Sequence, residues 1–353
     1  MENAKRLHYM DAARAIAVLL VIFGHTFRES MREEFYWCDF SYLYVYRFHV
    51  SLLFILSGMG YALTQNKHLS EKAGSYIAKK AKSLLLPWIS YSLVIYAVFA
   101  IMWSIPRMRS LLEGSSYAFI APAEYISRLL RNENPYCFHV WYLQTLFLFV
   151  TAIYIIDKYL PQKYALIIKI LIIASAPILY DSLFADSAWV IKGFMQKVHF
   201  FVLGTFLTDD FFRKNRKKLV GCGIICAAAL AWMIQSPFVK AIYQTNYAGI
   251  LMAYLENTVI AGLCVGIIAL CVVFETGFRK VAEFGENTMP YYLYHQPFFC
   301  AFLGMVLYEK IGMSAALTVI ICMTASLFVP YLVIKTIRNT ALERIAKKIG
   351  LPV

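Results

Sequence analysis

Ten apolar runs, each long enough or nearly so to cross about 30 Å of hydrocarbon, leave this chain little choice of fold. They fall at about residues 11–28, 47–64, 84–104, 139–157, 164–182, 189–208, 218–236, 248–274, 289–309 and 312–335. Composition agrees. The chain is 60% hydrophobic and 16% charged, where soluble domains average roughly 45–50% and about 25%. The expected fold is an all-α integral membrane bundle of about ten transmembrane helices.

Lysine and arginine set the orientation. With the N-terminus in the cytoplasm, 21 of the 34 basic residues lie on the inner side, nine in outer loops and four within spans. Ten crossings then return the C-terminus to the cytoplasm as well. The formal charge of +13 thus reads as a topology signal rather than a nucleic-acid footprint. Arg14 interrupts the first run and no small-residue cleavage site follows it, so a cleavable signal peptide is not expected. With no repeat or linker in view, residues 1–353 read as a single membrane-embedded domain. A basic amphipathic tail from about 336 to 353 is expected to lie on the inner leaflet. Six of the eight cysteines sit in or beside spans as small core residues. Cys38 and Cys137 lie in or near outer loops, and pairing between them is left open.

The first run reads "DAARAIAVLLVIFGH". Arg14 and His25 are eleven residues apart, which on a helix leaves only ~20° of rotation and about 16 Å of rise. Asp11 lies on nearly the same stripe. An arginine inside a span costs about 2.5–3.5 kcal/mol on insertion scales, so function is its default explanation. A structural Asp11–Arg14 pair with a hydrogen-bonded histidine is the alternative.

Other polar groups stand at span edges. His49 opens the second span at about the depth of His25, either to share a proton or grip a hydroxyl, or to anchor the interface. Ser57 and Gly58 read as a notch for close helix packing. Lys79, Lys80 and Lys82 satisfy orientation and anionic lipid, or bind the phosphates of a cytoplasmic cofactor. "FHVWYLQ" places His139, Trp141 and Tyr142 where an aromatic belt is expected. His295 falls within the ninth span, just before Pro297. Glu256 should lie near mid-membrane and needs a partner among Lys192, Lys197 or a histidine. No two histidines stand three to five residues apart, so no helix-borne zinc pair and no metal are expected. Gly-x-Ser-x-Gly, Walker A and Gly-x-Gly-x-x-Gly motifs are absent too.

These residues resemble the acyltransferase 3 family of integral-membrane O-acyltransferases, which modify sugars of surface polysaccharides. Arg14 and His25 match its opening signature of a basic residue, ten residues, then histidine. "FHVSLLFILSGMGYAL" is similar to its second-helix block, "HVWYL" to a middle block and "YYLYHQP" to a late one, in the expected order over most of the chain. The finer likeness is to the branch related to fucose O-acetylases. One departure concerns the arginine pair that the family usually carries before its third helix. Here that stretch reads Lys80-Ala81-Lys82-Ser83, so Ser83 stands where the second arginine is expected.

The resemblance implies acetyl transfer from cytoplasmic acetyl-CoA to a sugar hydroxyl of an exported or cell-surface glycan at the outer face of the cytoplasmic membrane. His25 would be the general base, with Arg14 and His49 as its catalytic companions. Arg14, Lys79, Lys80 and Lys82 would hold the donor, and Trp141, Tyr142, His139, His295 and Glu256 the acceptor. Expected partners are acetyl-CoA, a glycan or lipid-linked sugar and the bilayer, with no nucleic acid and a homo-oligomer left open. The absence of an esterase-like domain suggests direct transfer. The rival reading is a transporter or flippase of lipid-linked glycan, with Arg14 and Glu256 as buried coupling charges, though the paired broken helices of many transporters are not in view.

Overall fold

The computed structural model describes residues 6–131, 133–180 and 189–353, and among these it contains helices and connections but no strand. Seven helical segments are long and apolar enough to cross a membrane: Tyr36–Ser70, Ala73–Ser104, Phe138–Tyr159, Gln162–Leu179, Asp209–Gln235, Ala248–Val273 and Ala315–Ile337. The chain is therefore a multi-pass membrane protein.

Seven of the ten expected spans thus appear at full length, and the other three share a physical feature. The first helix, α1 (His8–His25), carries Asp11 and Arg14. A second expected span is the 16-residue helix Trp189–Gly204. The third is broken, with a short helix at Met289–Tyr294, a cis Gln296–Pro297 bond, and π-helical turns at Phe298–Phe302 and Met305–Lys310. Short, charged or broken segments suit the inside of a bundle, where neighbours satisfy their polar groups. They are the segments that bring His25, Lys197 and His295 to the site.

In chain order the remaining helices are α2 (Glu29–Glu34), α3 (Tyr36–Ser70), α4 (Ala73–Ser104), α5 (Pro106–Leu112), α6 (Pro122–Leu130), α7 (Trp141–Tyr159) and α8 (Gln162–Leu179). After α9 (Trp189–Gly204) come α10 (Asp209–Gln235), α11 (Pro237–Tyr243), α12 (Asn246–Val273), α13 (Arg279–Gly285), α14 (Met289–Tyr294), α15 (Ala315–Ile337) and α16 (Ala341–Lys348). Several begin earlier than expected. α3 starts eleven residues before position 47, and its 35 residues make it about 52 Å long, well beyond the hydrocarbon core. α10 starts at Asp209 because Thr208 caps it, its hydroxyl accepting from the Phe211 amide, and Asp209 and Asp210 favour the first turn.

The long helix α3 occupies the centre, packing on α1, α7, α9 and α12. Its apolar window is 61% buried, against 17% for α8 and 22% for α10, whose apolar faces turn outward. The crossings are held close by glycine. A Cβ at Gly58 would lie 2.0 Å from the Phe201 carbonyl oxygen, and one at Gly204 would lie 2.2 Å from that of Ile55, so α3 and α9 touch backbone to backbone. Gly285 is tighter still, its Cβ position only 1.8 Å from the Asp11 carbonyl oxygen. A buried network ties α7 to α8 and α3. Lys169 bonds Asp157 at 2.6 Å, and the other Asp157 oxygen accepts from Tyr61 and Gln65.

Gly285→Ala is expected to destabilise the protein, because the added methyl must push α13 off α1. Overpacking of this kind costs about 1–3 kcal/mol. Gly60→Ala is the control. Nothing lies within 4 Å of a Cβ there, so helix propensity should make it neutral or stabilising. Thermal midpoints in detergent check both; equal midpoints for the two variants contradict the tight α1–α13 crossing.

Both ends of the described chain meet at one end of the bundle. Arg6 approaches Glu286 at 3.5 Å, and Glu286 shares a cavity with Lys335, Arg338 and Lys347. Leu351 packs against the core, and the Pro352 carbonyl accepts from the Tyr294 hydroxyl at 2.8 Å. The basic helix α16 leaves no residue fully buried, in keeping with a surface segment.

Candidate functional site

The stripe read on α1 is present. Arg14 bonds Asp11 at 2.7 Å, and the second oxygen of Asp11 accepts from Arg6 at 2.8 Å. Asp11 is buried, so the two guanidinium groups supply the compensation that a sequestered carboxylate requires. His8 and Glu286 also lie near Asp11, close enough for a three-ligand cation site. Both Asp11 oxygens are already engaged by arginine, which leaves that cluster explained by its ion pairs.

At the far end of α1, three histidines converge from distant parts of the sequence. The His25 ring lies 5.2 Å from that of His295 and 6.4 Å from that of His139, and the last two are 4.9 Å apart. A single 3-10 turn, Phe138–Val140, delivers His139 just before α7, and the break after α14 delivers His295. His139 Nε2 donates to the Leu293 carbonyl at 3.0 Å, and His295 Nδ1 donates to that of Tyr292 at 2.7 Å. Those bonds fix the tautomers, since a carbonyl can only accept. In the neutral rings, His139 Nδ1 and His295 Nε2 then carry lone pairs, and both atoms are buried without a partner among the described residues. Two orphaned acceptors beside a third imidazole mark a place built for hydroxyl donors.

His25 itself is held by Tyr46, whose hydroxyl lies 2.8 Å from His25 Nδ1. Gly24 makes room for that ring, since a Cβ there would stand 2.9 Å from Tyr46 Cε2. His49 sits on the other side of Tyr46, 5.0 Å ring to ring, and its Nδ1 donates to the Val45 carbonyl. His49 thus stands next to the triangle, within electrostatic reach of His25 and His295, and packs on the Tyr46 ring that His25 bonds.

Cavities approach this triangle from both ends. At the Arg14 end, a cavity of about 240 Å³ is lined by Arg14, Val18, Ser57, Tyr142, Thr288 and Tyr292, among others. Tyr292 joins it to the histidines, for its hydroxyl donates to the His139 carbonyl while its own carbonyl accepts from His295. The 560 Å³ basic cavity formed with the tail adjoins it, sharing Glu286 and Met289. At the opposite end, a cavity of about 370 Å³ is lined by Tyr46, Arg47, Gln196, Lys197, Tyr243, Glu256 and Asn257, among others.

Several expectations change place. Glu256 pairs with Arg47 at 2.6 Å and also accepts from the Tyr243 hydroxyl, while Lys197, one of the expected candidates, lies within electrostatic reach without bonding to it. The Lys192 side chain lies outside the described residues. Arg47 stands at the edge of the second expected span, and α3, helical from Tyr36, carries it to Glu256. Tyr142 faces the Arg14-end cavity, where its hydroxyl bonds Ser57 at 3.1 Å, and Trp141 packs near Phe54. Lys79 is exposed and paired with Glu71, Lys80 lies over the Tyr76 ring, and Lys82 is exposed. None of the three lines the Arg14-end cavity, although Leu84 on the same helix does. Cys38 and Cys137 are both buried free thiols in separate core clusters, so the pairing left open does not form. Arg14 and Glu256 do not meet, each having its own counter-ion. The sequence reading missed Tyr46, Arg47 and Tyr292. The three-residue step from Tyr46 to His49 was the available signal, since it places both on one helix face.

A family model described as an acyltransferase domain matches residues 7–335. Neither the curated proteins nor the solved structures searched return a match.

Proposed function

The chain belongs to the acyltransferase-domain family, and from that premise we propose that it moves an acetyl group from acetyl-CoA to a sugar hydroxyl across the bundle. The observation that carries this reading is the histidine triangle with its two orphaned lone pairs, with one cavity at the Arg14 end of α1 and another lined by Tyr46, the tyrosine that bonds His25. A polyhydroxylated acceptor supplies the donors that His139 Nδ1 and His295 Nε2 lack. Ten crossings, three of them short or broken, put both chain ends in the cytoplasm and the Tyr46 end outside.

The donor occupies the Arg14 end. Its arm passes through the 240 Å³ cavity, past Arg14, and carries the thioester on to His25, while its phosphates reach the adjoining cavity of Lys335, Arg338 and Lys347. That basic set answers the departure at Ser83, because charge missing from the start of α4 is supplied by the tail. The acceptor occupies the 370 Å³ cavity at the Tyr46 end.

With Nδ1–H donating to Tyr46, His25 presents a lone pair at Nε2. It takes the proton of the acceptor hydroxyl as the oxygen attacks the thioester carbonyl. The C–O bond forms, the C–S bond breaks, and the proton passes from His25 to the departing thiolate, giving the ester and free CoA. General-base help of this kind contributes about 10²–10⁴-fold. Purified protein in liposomes, given acetyl-labelled acetyl-CoA and a panel of glycans, should release CoA and label a glycan. Labelled CoA thioester that stays intact across sugars of every charge class overturns the reading.

A further inference from the structure

We infer that the acceptor carries an anionic group, a carboxylate or a phosphate on the sugar, and that Lys197 binds it. This rests on the 370 Å³ cavity being the acceptor site. That cavity is lined by two cations, Arg47 and Lys197, and one carboxylate, Glu256. Glu256 is fully engaged, one oxygen accepting from Arg47 at 2.6 Å and the other from Tyr243. Lys197 has a long contact to Ser51 Oγ at 3.4 Å, a position over the Phe200 ring and the longer-range attraction of that shared Glu256. Among the described residues it forms no ion pair.

The contrast with Lys169 is the reason to give this weight. Both lysines lie within expected spans. Lys169 has Asp157 at 2.6 Å, so the fold neutralises an ammonium inside the bundle when nothing else will. Among the described residues Lys197 has no such ion pair, and the nearby carboxylate, Glu256, is already bonded to Arg47, so two cations share one anion and a positive charge is left over. A ligand anion completes the balance. Tyr46 lines the same cavity and bonds His25, so a sugar held by its anion at Lys197 lies one tyrosine ring from the proposed base.

Purified full-length protein is heated with D-glucuronate, α-D-glucose 1-phosphate or D-glucose at equal ionic strength, without acetyl-CoA. The two anionic sugars are expected to raise the midpoint with concentration and glucose is not. The stronger of the two identifies carboxylate or phosphate as the group recognised. Lys197→Met should weaken anion binding by about 10- to 100-fold, the range for losing a charged hydrogen bond. Lys197→Arg should keep it, and Gln196→Glu, which sets a negative charge beside Lys197, should weaken it without removing the lysine. Equal stabilisation by glucose and the anions, or anion binding unchanged in both Lys197→Met and Gln196→Glu, overturns the inference. Because no donor is present, anion binding without acetyl transfer counts against the proposed function alone. Transfer with no anion preference counts against this inference alone.

Discussion

His25→Ala lowers acetyl transfer by about 10²–10⁴-fold while the protein still folds and still binds acetyl-CoA. The size follows from chemistry, since a sugar hydroxyl near neutral pH is a weak nucleophile until its proton is taken. Selectivity follows from geometry. His25 does not line the 240 Å³ cavity, so the contacts that bind the donor there are kept. Among the described residues the His25 side chain bonds Tyr46, which remains seated against Gly24 and packed 4.0 Å, ring to ring, from Tyr42. Steady-state kinetics should show kcat falling with KM for acetyl-CoA nearly constant, and equal thermal midpoints should exclude unfolding. A variant that transfers at the wild-type rate removes His25 from the mechanism.

Arg14→Lys acts on the other substrate. The guanidinium bonds Asp11 with one nitrogen and presents the rest of its fork to the donor cavity, whereas lysine offers a single charged point. Losing charge-assisted hydrogen bonds costs about 1.5–3 kcal/mol each, so KM for acetyl-CoA should rise by about 10- to 100-fold. The acceptor dependence should be little changed, because Arg14 does not line the 370 Å³ cavity. Folding should survive, since Asp11 keeps Arg6 at 2.8 Å. An unchanged dependence on acetyl-CoA would place Arg14 outside the donor site and leave it a partner of Asp11 only.

Local periodicity made one half of the site legible. The phase of a single helix is a local property, so Asp11, Arg14 and His25 were placed on one stripe from spacing alone, and the Asp11–Arg14 bond is there at 2.7 Å. The triangle was not legible, because His25, His139 and His295 meet only through packing of segments more than a hundred residues apart. His49 drew attention by being at the depth of His25, and it does lie near His25 and His295, but depth could not show the Tyr46 ring that packs on it and bonds His25. The bonded partner of Glu256, Arg47, was missed for a related reason. Apolar windows locate the part of a helix inside lipid and not its ends, so Arg47 stood at a span edge although α3 had already begun at Tyr36. Likewise the three segments that fail as full-length spans looked like weak examples of a common pattern. Their shortness, charge and breaks are what let them carry polar groups at the centre.

The central claim is that donor and acceptor reach His25 from opposite ends, and sidedness tests it most directly. Protein is reconstituted into vesicles in one orientation, with acetyl-labelled acetyl-CoA sealed on the Arg14 side and glycan acceptor supplied only on the Tyr46 side. Labelled glycan should accumulate on the acceptor side with wild-type protein, and fail to do so with His25→Ala. Label that forms only when donor and acceptor share one side of the membrane would contradict the account.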